Sequence, residues 1–402
     1  MNRYLSLSFC VLILSLLTAC SKTSTLGSSA DTGSSYPGSA LSSGGSGSGS
    51  SSSSPNPGNG SANQPGVITA GEWNDIDHWS FWLGLMDTAQ WKAKQDYWKF
   101  YPQRLYTVEL TAGNGTKVAD AEISFKDAGR NVLWTAKTDN AGKAVAFPAV
   151  FSSEKGSIYT ASALVNGRTI DLGIFPSSQY IEKRIDLLVA ADDNVDLMYV
   201  VDATGSMGDE LSYLKTELNN VLTRSKADLP GINLRMGSVF YRDQGDEYLT
   251  KIAPFTTNVG SLVNFVQQQK ADGGGDFPEA VHTALQTAIE QQSWSSTARA
   301  RLLFLVLDAP PHHEDAVIQS LQVSIRKAAQ KGIKIIPVTA SGIDKETEFM
   351  MRFMSIVTNG TYVFITNDSG IGNNHLSPTV GKYDVEFLNN LMVRLIKKYA
   401  KN

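Results

Sequence analysis

The sequence predicts an α/β protein whose C-terminal half is a doubly wound, mostly parallel sheet, preceded by a small all-β sandwich. From residue 193 onward, apolar runs alternate with segments whose apolar residues recur at helical spacing. This alternation is typical of a parallel sheet covered by helices on both faces. Residues 104–192 instead show period-two alternation, interrupted by turn sequences such as Gly113–Gly115. The formal net charge of −4 offers no basic surplus, so we set nucleic-acid binding aside.

Residues 1–19 have the pattern of an export signal. The basic start at Arg3 precedes an apolar run, Leu5–Leu17, that is too short for a comfortable membrane span. Small residues then lead to Cys20, after which a polar tract begins. This arrangement resembles a bacterial lipoprotein signal, which implies that cleavage leaves Cys20 as the lipidated first residue. The implied location is the cell envelope, at the outer membrane or the cell surface, with the lipid as the only membrane anchor. An ordinary secretory signal is the alternative.

Two segments separate the signal from the first predicted sheet. Residues 20–69 are rich in Ser and Gly, a composition that cannot bury a core and predicts a flexible tether. Residues 70–103 are rich in aromatic side chains and contain five of the seven Trp residues. They form either a stacking surface for sugars or a packing layer on the next domain. Packing is the preferred interpretation, because Trp and Tyr fill cores and interfaces far more often than they bind ligands.

Residues 104–192 are predicted to form a β-sandwich module. Its six predicted strands are Tyr106–Thr111, Ala121–Lys126, Val132–Thr138, Ala144–Val150, Ile158–Val165 and Thr169–Ile174. The stretches Val118–Ala121 and Thr138–Gly142 are similar to carboxypeptidase-regulatory-like and related Ig-like modules. We expect an antiparallel sandwich without a catalytic set.

Residues 193–402 are predicted to form the α/β domain. The predicted strands are Val195–Val201, Leu234–Tyr241, Leu249–Phe255, Leu302–Leu307, Lys334–Thr339 and Tyr362–Ile365. The predicted helices are the segment from Leu211 to Leu222, Ser261–Gln269, Pro278–Gln291 with Pro278 in the first helical position, Ala316–Gln330, Glu346–Val357 and Val385–Ala400. In such sheets ligands bind beyond the carboxyl ends of the strands.

Two of the apolar strands end in carboxylates, Asp202 and Asp308, which should emerge at the same edge of the sheet. The loop after the first strand adds the hydroxyl side chains of Thr204 and Ser206 at alternate positions. Hard oxygen ligands of this kind suit Mg²⁺. We therefore expect one divalent cation at this edge, Mg²⁺ first, with Mn²⁺ and Ca²⁺ as the other candidates.

The loop pattern Asp202-x-Thr204-x-Ser206 after an apolar strand resembles the metal-ion-dependent adhesion site of von Willebrand factor A domains. In that family two further loops supply ligands, and Asp308 matches the last of them. The middle loop, Asp272–Glu279, lacks the usual Thr. It resembles the Gly-Gly-Gly-Asp-x-Pro-Glu version of one branch of the superfamily, and the Asp-x-Pro-Glu loop of integrin β subunits, where the Glu approaches the metal.

The resemblance implies a set of metal ligands and a function. The candidate ligands are Asp202, Thr204, Ser206, Asp276, Glu279 and Asp308. Whether Asp276 or Glu279 is the direct ligand is left open. The implied function is cation-dependent binding of a protein or another ligand, whose carboxylate completes the coordination shell. The protein is then a tethered binding module and not an enzyme.

One alternative gives Asp202 a chemical role. The Asp202–Ser206 loop also resembles the nucleophile loop of haloacid-dehalogenase-type phosphotransferases, which hold Mg²⁺ and use the Asp as nucleophile. That family expects a later Lys and a paired-acid loop, which Leu307–Pro311 matches poorly. The Gly-rich middle loop has no counterpart there. Binding is therefore preferred, and phosphotransfer is the alternative.

Two other polar segments admit both a functional and a structural interpretation. His312–Asp315 could bind zinc, but no His-Glu-x-x-His helix or Cys set supports this, so a polar loop at the border of the metal site is preferred. Arg242 and Asp243 form either a functional contact or a structural salt bridge in a hairpin, and the structural role is preferred.

Overall fold

The computed structural model describes residues 64–153, 158–177, 179–187, 192–370 and 374–401. The predicted signal at 1–19, the predicted lipidation site Cys20 and nearly all of the predicted tether lie outside the described residues. Within the described part of the chain, no helix is both long enough and apolar enough to cross a membrane.

The described residues contain fifteen strands and eight α-helices. The strands are β1 Thr69–Trp73, β2 Tyr106–Ala112, β3 Glu122–Lys126, β4 Val132–Lys137, β5 Lys143–Ala146, β6 Tyr159–Val165, β7 Arg168–Phe175, β8 Tyr180–Ile185, β9 Asn194–Asp202, β10 Asn233–Tyr241, β11 Thr250–Thr256, β12 Ala300–Leu307, β13 Ile333–Thr339, β14 Tyr362–Ile365 and β15 Val385–Phe387. The helices are α1 Trp79–Met86, α2 Ala89–Trp98, α3 Gly208–Asp228, α4 Val259–Gln267, α5 Val281–Glu290, α6 Asp315–Lys331, α7 Lys345–Val357 and α8 Leu388–Ala400.

The large sheet confirms the predicted doubly wound α/β fold. Its eight strands follow the order β11-β10-β9-β12-β13-β14-β1-β15. The five central strands, β10, β9, β12, β13 and β14, run parallel to one another. The outer pairs β11–β10, β1–β14 and β15–β1 are antiparallel. The order in which strands are added to the sheet switches at β9: β10 lies on one side of β9, and β12 lies on the other. A ligand site is expected at the carboxyl ends of these two neighbours of β9.

Strand β9 shows why the sheet is covered on both faces. Its residues are almost all buried, and their side chains alternate between two hydrophobic cores. Met198 and Val200 join the core that contains α5, α6 and α7. Leu197, Tyr199 and Val201 join the core that contains α3, α4 and α8. This burial on both faces explains the continuous apolar run in the sequence.

The predicted sandwich is present, with one departure from the antiparallel prediction. A three-stranded sheet, β5-β2-β8, faces a four-stranded antiparallel sheet, β4-β3-β6-β7, across a core in which the rings of Tyr106 and Phe125 lie 5.5 Å apart. Strand β8, which the sequence analysis did not predict, pairs in parallel with β2. It can do so because it arrives from β7 in the facing sheet, and not through a hairpin from β2.

The aromatic-rich segment, residues 70–103, is packed against the rest of the fold, which was the preferred interpretation. The side chains of Trp82, Trp91 and Trp98 are buried, and the ring centroids of Trp82 and Trp91 lie 6.4 and 5.9 Å from that of Phe349 on α7. Strand β1, which precedes the sandwich in the chain, lies in the large sheet between β14 and β15. The aromatic residues therefore form part of one face of the α/β domain.

Two predicted helices are wrong at their N-terminal ends. Pro278 is not the first residue of a helix, since α5 begins at Val281. The N–H of Glu279 instead donates to the carbonyl of Pro310 at 2.9 Å, which holds this backbone against the loop after β12. The predicted helix from Val385 begins three residues later, because Val385–Phe387 pairs with β1 as strand β15. Tertiary backbone pairing outweighs local helical pattern at both positions.

A buried charge cluster, formed by Asp75, Glu348 and Arg352, ties the aromatic segment to α7. All three side chains are completely buried. The Nε of Arg352 donates to Asp75 at 2.9 Å, and its Nη1 donates to Glu348 at 3.3 Å. The indole Nε1 of Trp73 also donates to Asp75, at 2.9 Å. Each buried carboxylate here therefore has a cationic partner.

Candidate metal centre

The first loop of the candidate site follows β9. The side chain of Asp202, the last residue of the strand, is completely buried. Its Oδ1 accepts hydrogen bonds from the backbone N–H and the hydroxyl of Thr204, at 2.9 and 2.7 Å. The hydroxyls of Thr204 and Ser206 lie 3.2 Å apart. Three oxygen-bearing side chains are thus gathered within one tight turn.

The second loop is held against the first by backbone hydrogen bonds. The N–H of Gly205 donates to Gly273 O, and the N–H of Asp272 donates to Ala203 O, both at 3.1 Å. Gly274 has a φ of +73°, and a Cβ at this position would lie 2.9 Å from Oε1 of Glu279. Glycine is therefore required here both for the left-handed backbone and for the close approach to the carboxylate.

The third loop follows β12 and brings Asp308 to the same edge. The hydrogen bond from Glu279 N–H to Pro310 O joins the second loop to the third. Glu279 and Asp308 are only 2% and 5% exposed, and both border an open cleft of about 540 Å³ together with Ser206 and Asp276. The three loops therefore meet at one cleft, at the carboxyl ends of adjacent parallel strands.

Three carboxylates are concentrated at this cleft, and no cationic side chain of the described part of the chain is paired with them. Burial, reinforced for Glu279 and Asp308 by the charge of Asp202, raises the pKa of Asp202 to about 6, that of Asp308 to about 7 and that of Glu279 to about 9. Among the described residues, Asp202 Oδ2, Glu279 Oε2 and Asp308 Oδ1 are buried oxygens that accept no hydrogen bond. Buried oxygens of this kind are normally paired, or they coordinate an ion.

The predicted metal ligands differ in how deeply they are buried. Asp202, Thr204, Glu279 and Asp308 are buried, whereas Ser206 and Asp276 are exposed. Asp276 borders the cleft, but its carboxylate also lies beside Asp243 and His312, where one ligand atom from each of the three residues lies within 4.8 Å of the others. The two carboxylates left open by the sequence thus occupy different surroundings.

Arg242 has a structural role, but the predicted salt bridge between Arg242 and Asp243 is absent from the described residues. Its side chain is 4% exposed, and it donates to the carbonyls of Ala203 and Lys270 at 3.2 and 3.0 Å. It therefore joins the loop after β10 to the first loop and to the segment that precedes the second. The neighbouring Asp243 is also buried, and it pairs with Nε2 of His312 at 2.7 Å.

Glu210 is a carboxylate near the cleft that the sequence analysis missed. It lies on α3, is 1% exposed, and its Oε1 accepts the N–H of Ser341 at 2.7 Å. Its charge contributes to the raised pKa of Asp308. Because Glu210 is one of several polar residues along an amphipathic helix, only its position relative to the third loop distinguishes it.

The geometry of three loops around a cleft agrees with the comparison to known families. Residues 196–370 match the family described as the von Willebrand factor A domain. The chain contains a von Willebrand factor A domain. Domains of this class generally act as protein-interaction modules and typically bind a divalent cation.

Two curated relatives are similar to parts of the chain. An ariadne-like RING finger protein of Acanthamoeba polyphaga mimivirus is 33% identical over 120 residues, which are 30% of this chain and 11% of that protein. The alpha-protein kinase vwkA of Dictyostelium discoideum is 26% identical over 176 residues, or 44% of this chain and 28% of that protein. The chain thus spans only a small part of either relative. These similarities give no support to the haloacid-dehalogenase alternative for the von Willebrand A domain.

Solved structures also resemble the chain. BatB from Bacteroides thetaiotaomicron has a TM-score of 0.36 at 15% identity and covers 52% of this chain and 100% of its own. An aerotolerance-related membrane protein from Bacteroides fragilis has a TM-score of 0.33 at 15% identity and covers 51% of this chain and 98% of its own.

Proposed function

We propose that the von Willebrand A domain binds one divalent cation, Mg²⁺ first, and uses it to bind a partner that carries a carboxylate. Asp202, Thr204, Ser206, Glu279 and Asp308 would hold the ion. The ion would supply a positive charge at the floor of the cleft, and a partner's Asp or Glu would complete its coordination shell. Mn²⁺ and Ca²⁺ are the other candidates, since they accept similar oxygen ligands.

The observation that carries this proposal is that one buried carboxylate oxygen from each of the three loops, Asp202 Oδ2, Glu279 Oε2 and Asp308 Oδ1, has no hydrogen-bond partner among the described residues. An unpaired buried carboxylate is costly unless it is protonated or neutralised by a cation. Three such groups converge from loops that are joined by backbone hydrogen bonds. A hard cation satisfies all three at once, and the hydroxyls of Thr204 and Ser206 supply further oxygen ligands.

The environment of each carboxylate favours Glu279 over Asp276 as the direct ligand. Glu279 is buried, and its pKa is raised by burial and by the charges of Asp202, Asp243 and Asp308. Asp276 is exposed and can be solvated by water without any ion. A bound cation is therefore stabilised more by contact with Glu279, which lacks solvation by water, than by contact with Asp276.

We propose binding, and not catalysis, as the role of the ion. The carboxylate of Asp202 lies at the end of a buried strand, and its Oδ1 is occupied by two hydrogen bonds from Thr204. The open cleft above the carboxylates gives a partner's side chain access to the ion. Lipidation of Cys20 would tether the module to the cell envelope, at the outer membrane or the cell surface, with the Ser/Gly-rich chain before β1 as the connection; the last residues of the predicted 20–69 tether belong to the folded part, since Gly66 and Ile68 donate backbone hydrogen bonds to Glu217 and Thr69 begins β1.

A Mg²⁺ titration of the full chain tests the ion. At a Mg²⁺ concentration of one hundred times Kd, the free energy of unfolding should rise by about 2.7 kcal/mol. Asp202→Asn should lose this gain. The matched control, Asp272→Asn, removes an exposed carboxylate of the second loop and should keep it. An equal response of all three proteins, or no response in the parent chain, would contradict the proposal.

Two further measurements test the partner chemistry and the alternative. With Mn²⁺ in place of Mg²⁺, water-proton relaxation should report an exchangeable bound water, and acetate should displace that water while chloride at equal ionic strength should not. A screen with p-nitrophenyl phosphate tests phosphotransfer. Turnover that Asp202→Asn abolishes would favour the phosphotransferase, and it would count against a purely binding role.

A further inference from the structure

A second group of metal-ligating side chains lies next to the first site. Asp243 follows β10, Asp276 lies on the second loop, and His312 lies on the loop after β12. One ligand atom from each residue lies within 4.8 Å of the other two. Nothing in the Asp-x-Thr-x-Ser pattern requires this group, and its residues come from three separate parts of the chain.

Two of the three side chains are already fixed in place. Asp243 is 5% exposed, and its Oδ1 lies 2.7 Å from Nε2 of His312. The N–H of Asp243 donates to the carboxylate of Asp246 at 3.0 Å, which also accepts the N–H of Gly274 at 2.9 Å. The loop after β10 and the glycine-rich loop are therefore held together next to this group. Asp276 is exposed and free to move toward an ion.

A second histidine borders the group. His282, at the start of α5, is close enough to His312 and Asp243 for their charges to affect its pKa. Its Nδ1 is buried and has no hydrogen-bond partner within the described part of the chain. His282 does not belong to the group whose ligand atoms lie within 4.8 Å of one another, so it is not counted among the proposed ligands.

We propose that Asp243, Asp276 and His312 bind a second divalent cation, of the transition-metal class, with Zn²⁺ as the expected ion. Imidazole nitrogen favours Zn²⁺ over Mg²⁺, and two carboxylates complete a nitrogen–oxygen set that Zn²⁺ accepts. With bonds of about 2 Å, a tetrahedral ion holds its ligand atoms roughly 3.3 Å apart, so closure needs only a small movement, chiefly of the exposed Asp276.

The second ion would act on the first site through charge. The carboxylate of Asp243 is one of the groups that raise the pKa of Glu279. A cation bound to Asp243 offsets this negative charge. Glu279 then ionises more readily and is available as a ligand to the first ion. The assignment also explains why Asp276 and Glu279, three residues apart on the second loop, both lie at the cleft, one for each ion.

Zinc titration of the full chain in the presence of saturating Mg²⁺ tests the second site. Calorimetry should show one equivalent of Zn²⁺ bound by the parent chain. His312→Gln should weaken this binding by at least about a hundredfold, since even the loss of a group that only supports a ligand costs 10- to 100-fold. The matched control is His313→Gln, because His313 is the adjacent histidine and stacks on Tyr97.

Two more variants separate this site from the first. Asp276→Asn removes an exposed ligand, and it should also lose the Zn²⁺ equivalent. Asp202→Asn should keep Zn²⁺ while it loses the Mg²⁺ response. Co²⁺ in place of Zn²⁺ should give visible absorption bands that disappear in His312→Gln.

Three outcomes would overturn the second site. The parent chain could take up no Zn²⁺ beyond Mg²⁺ saturation, or His312→Gln and Asp276→Asn could bind it as the parent does. Zn²⁺ binding that only Asp202→Asn abolishes would assign the ion to the first site. Failure of the proposed function is recognised separately, by the absence of a Mg²⁺ response in the parent chain.

Discussion

Buried carboxylates occur in two regions of this molecule, and the two regions treat them in opposite ways. On α7, Arg352 pairs with Glu348 of the same helix and with Asp75 of the aromatic segment, and all three side chains are completely buried. At the carboxyl edge of the sheet, Asp202 and Glu279 are as deeply buried, yet each keeps an oxygen without a partner among the described residues. In the first region Arg352 pairs with the carboxylates, whereas in the second no cationic side chain among the described residues pairs with Asp202 or Glu279.

The difference shows how a structural charge cluster can be distinguished from a binding site. A buried carboxylate stays ionised at little cost only when a cation and hydrogen bonds compensate for the lost hydration. Arg352 supplies both to Asp75 and Glu348. At the sheet edge burial raises the pKa of all three acids, because nothing in the described chain neutralises them. This second arrangement suits a cation taken from solution.

The largest expected effect is on the internally compensated cluster. Arg352→Ala should lower the free energy of unfolding by about 3–5 kcal/mol, because it leaves Asp75 and Glu348 buried without their cation. Urea unfolding measures this loss. A loss below about 1 kcal/mol would contradict the comparison, since it would show that buried carboxylates in this protein need no partner.

The next effect is a dependence of stability on pH in the metal-free chain. The folded pKa values of Asp202 and Asp308, about 6 and 7, exceed their ordinary value of 3.8. Between the ordinary and raised values the folded state binds more protons than the unfolded state, so stability should fall as the pH rises. Urea unfolding in EDTA should show a fall on the order of 4 kcal/mol between pH 5 and 8, since the two groups together titrate over about three pKa units in this range and one unit corresponds to about 1.4 kcal/mol.

The control for this pH dependence is Asp308→Asn, which should flatten part of the slope because one of the titrating groups is lost. Saturating Mg²⁺ should also flatten it, since the ion replaces the protons. Stability that rises with pH over the same range in EDTA would show that these carboxylates do not govern the titration.

A smaller effect distinguishes Glu279 from Asp276, the two carboxylates of the second loop that border the cleft. Glu279→Gln should weaken Mg²⁺ binding by roughly tenfold or more, about 1.4 kcal/mol, and should stabilise the metal-free chain near neutral pH by removing one of the crowded acids. Asp276→Asn is the matched variant and should leave Mg²⁺ affinity nearly unchanged. Calorimetry with Mg²⁺ compares them. The reverse ranking would make Asp276 the direct ligand.

The smallest effect is expected for an exposed ion pair. Lys99 and Asp315 lie 2.6 Å apart, but their side chains are 53% and 79% exposed. Water already solvates both charges, so Lys99→Ala should change the free energy of unfolding by no more than about 1 kcal/mol. A loss similar to that of Arg352→Ala would mean that burial does not set the scale of these effects.

The local pattern of apolar residues was sufficient to predict strands that are buried on both faces and helices that are buried along one regular stripe. The apolar run of β9 and the helical spacing from Leu211 to Leu222 predicted both elements and their order. The pattern was insufficient where distant backbone decides the conformation. Val385–Phe387 becomes a strand only because β1 is available as a partner, and Pro278 stays outside α5 because its neighbour Glu279 is bonded to Pro310.

The sequence by itself determined the doubly wound fold and named the carboxylates and hydroxyls of the three loops, because strand ends and residue types are local properties. Tertiary structure alone decided which of them are buried. It separated Glu279 from Asp276, although they are three residues apart, and brought His312 to Asp243 across 69 positions of sequence. Burial and distance depend on how loops from different strands pack together, and these properties decide whether a carboxylate is solvated or requires a cation.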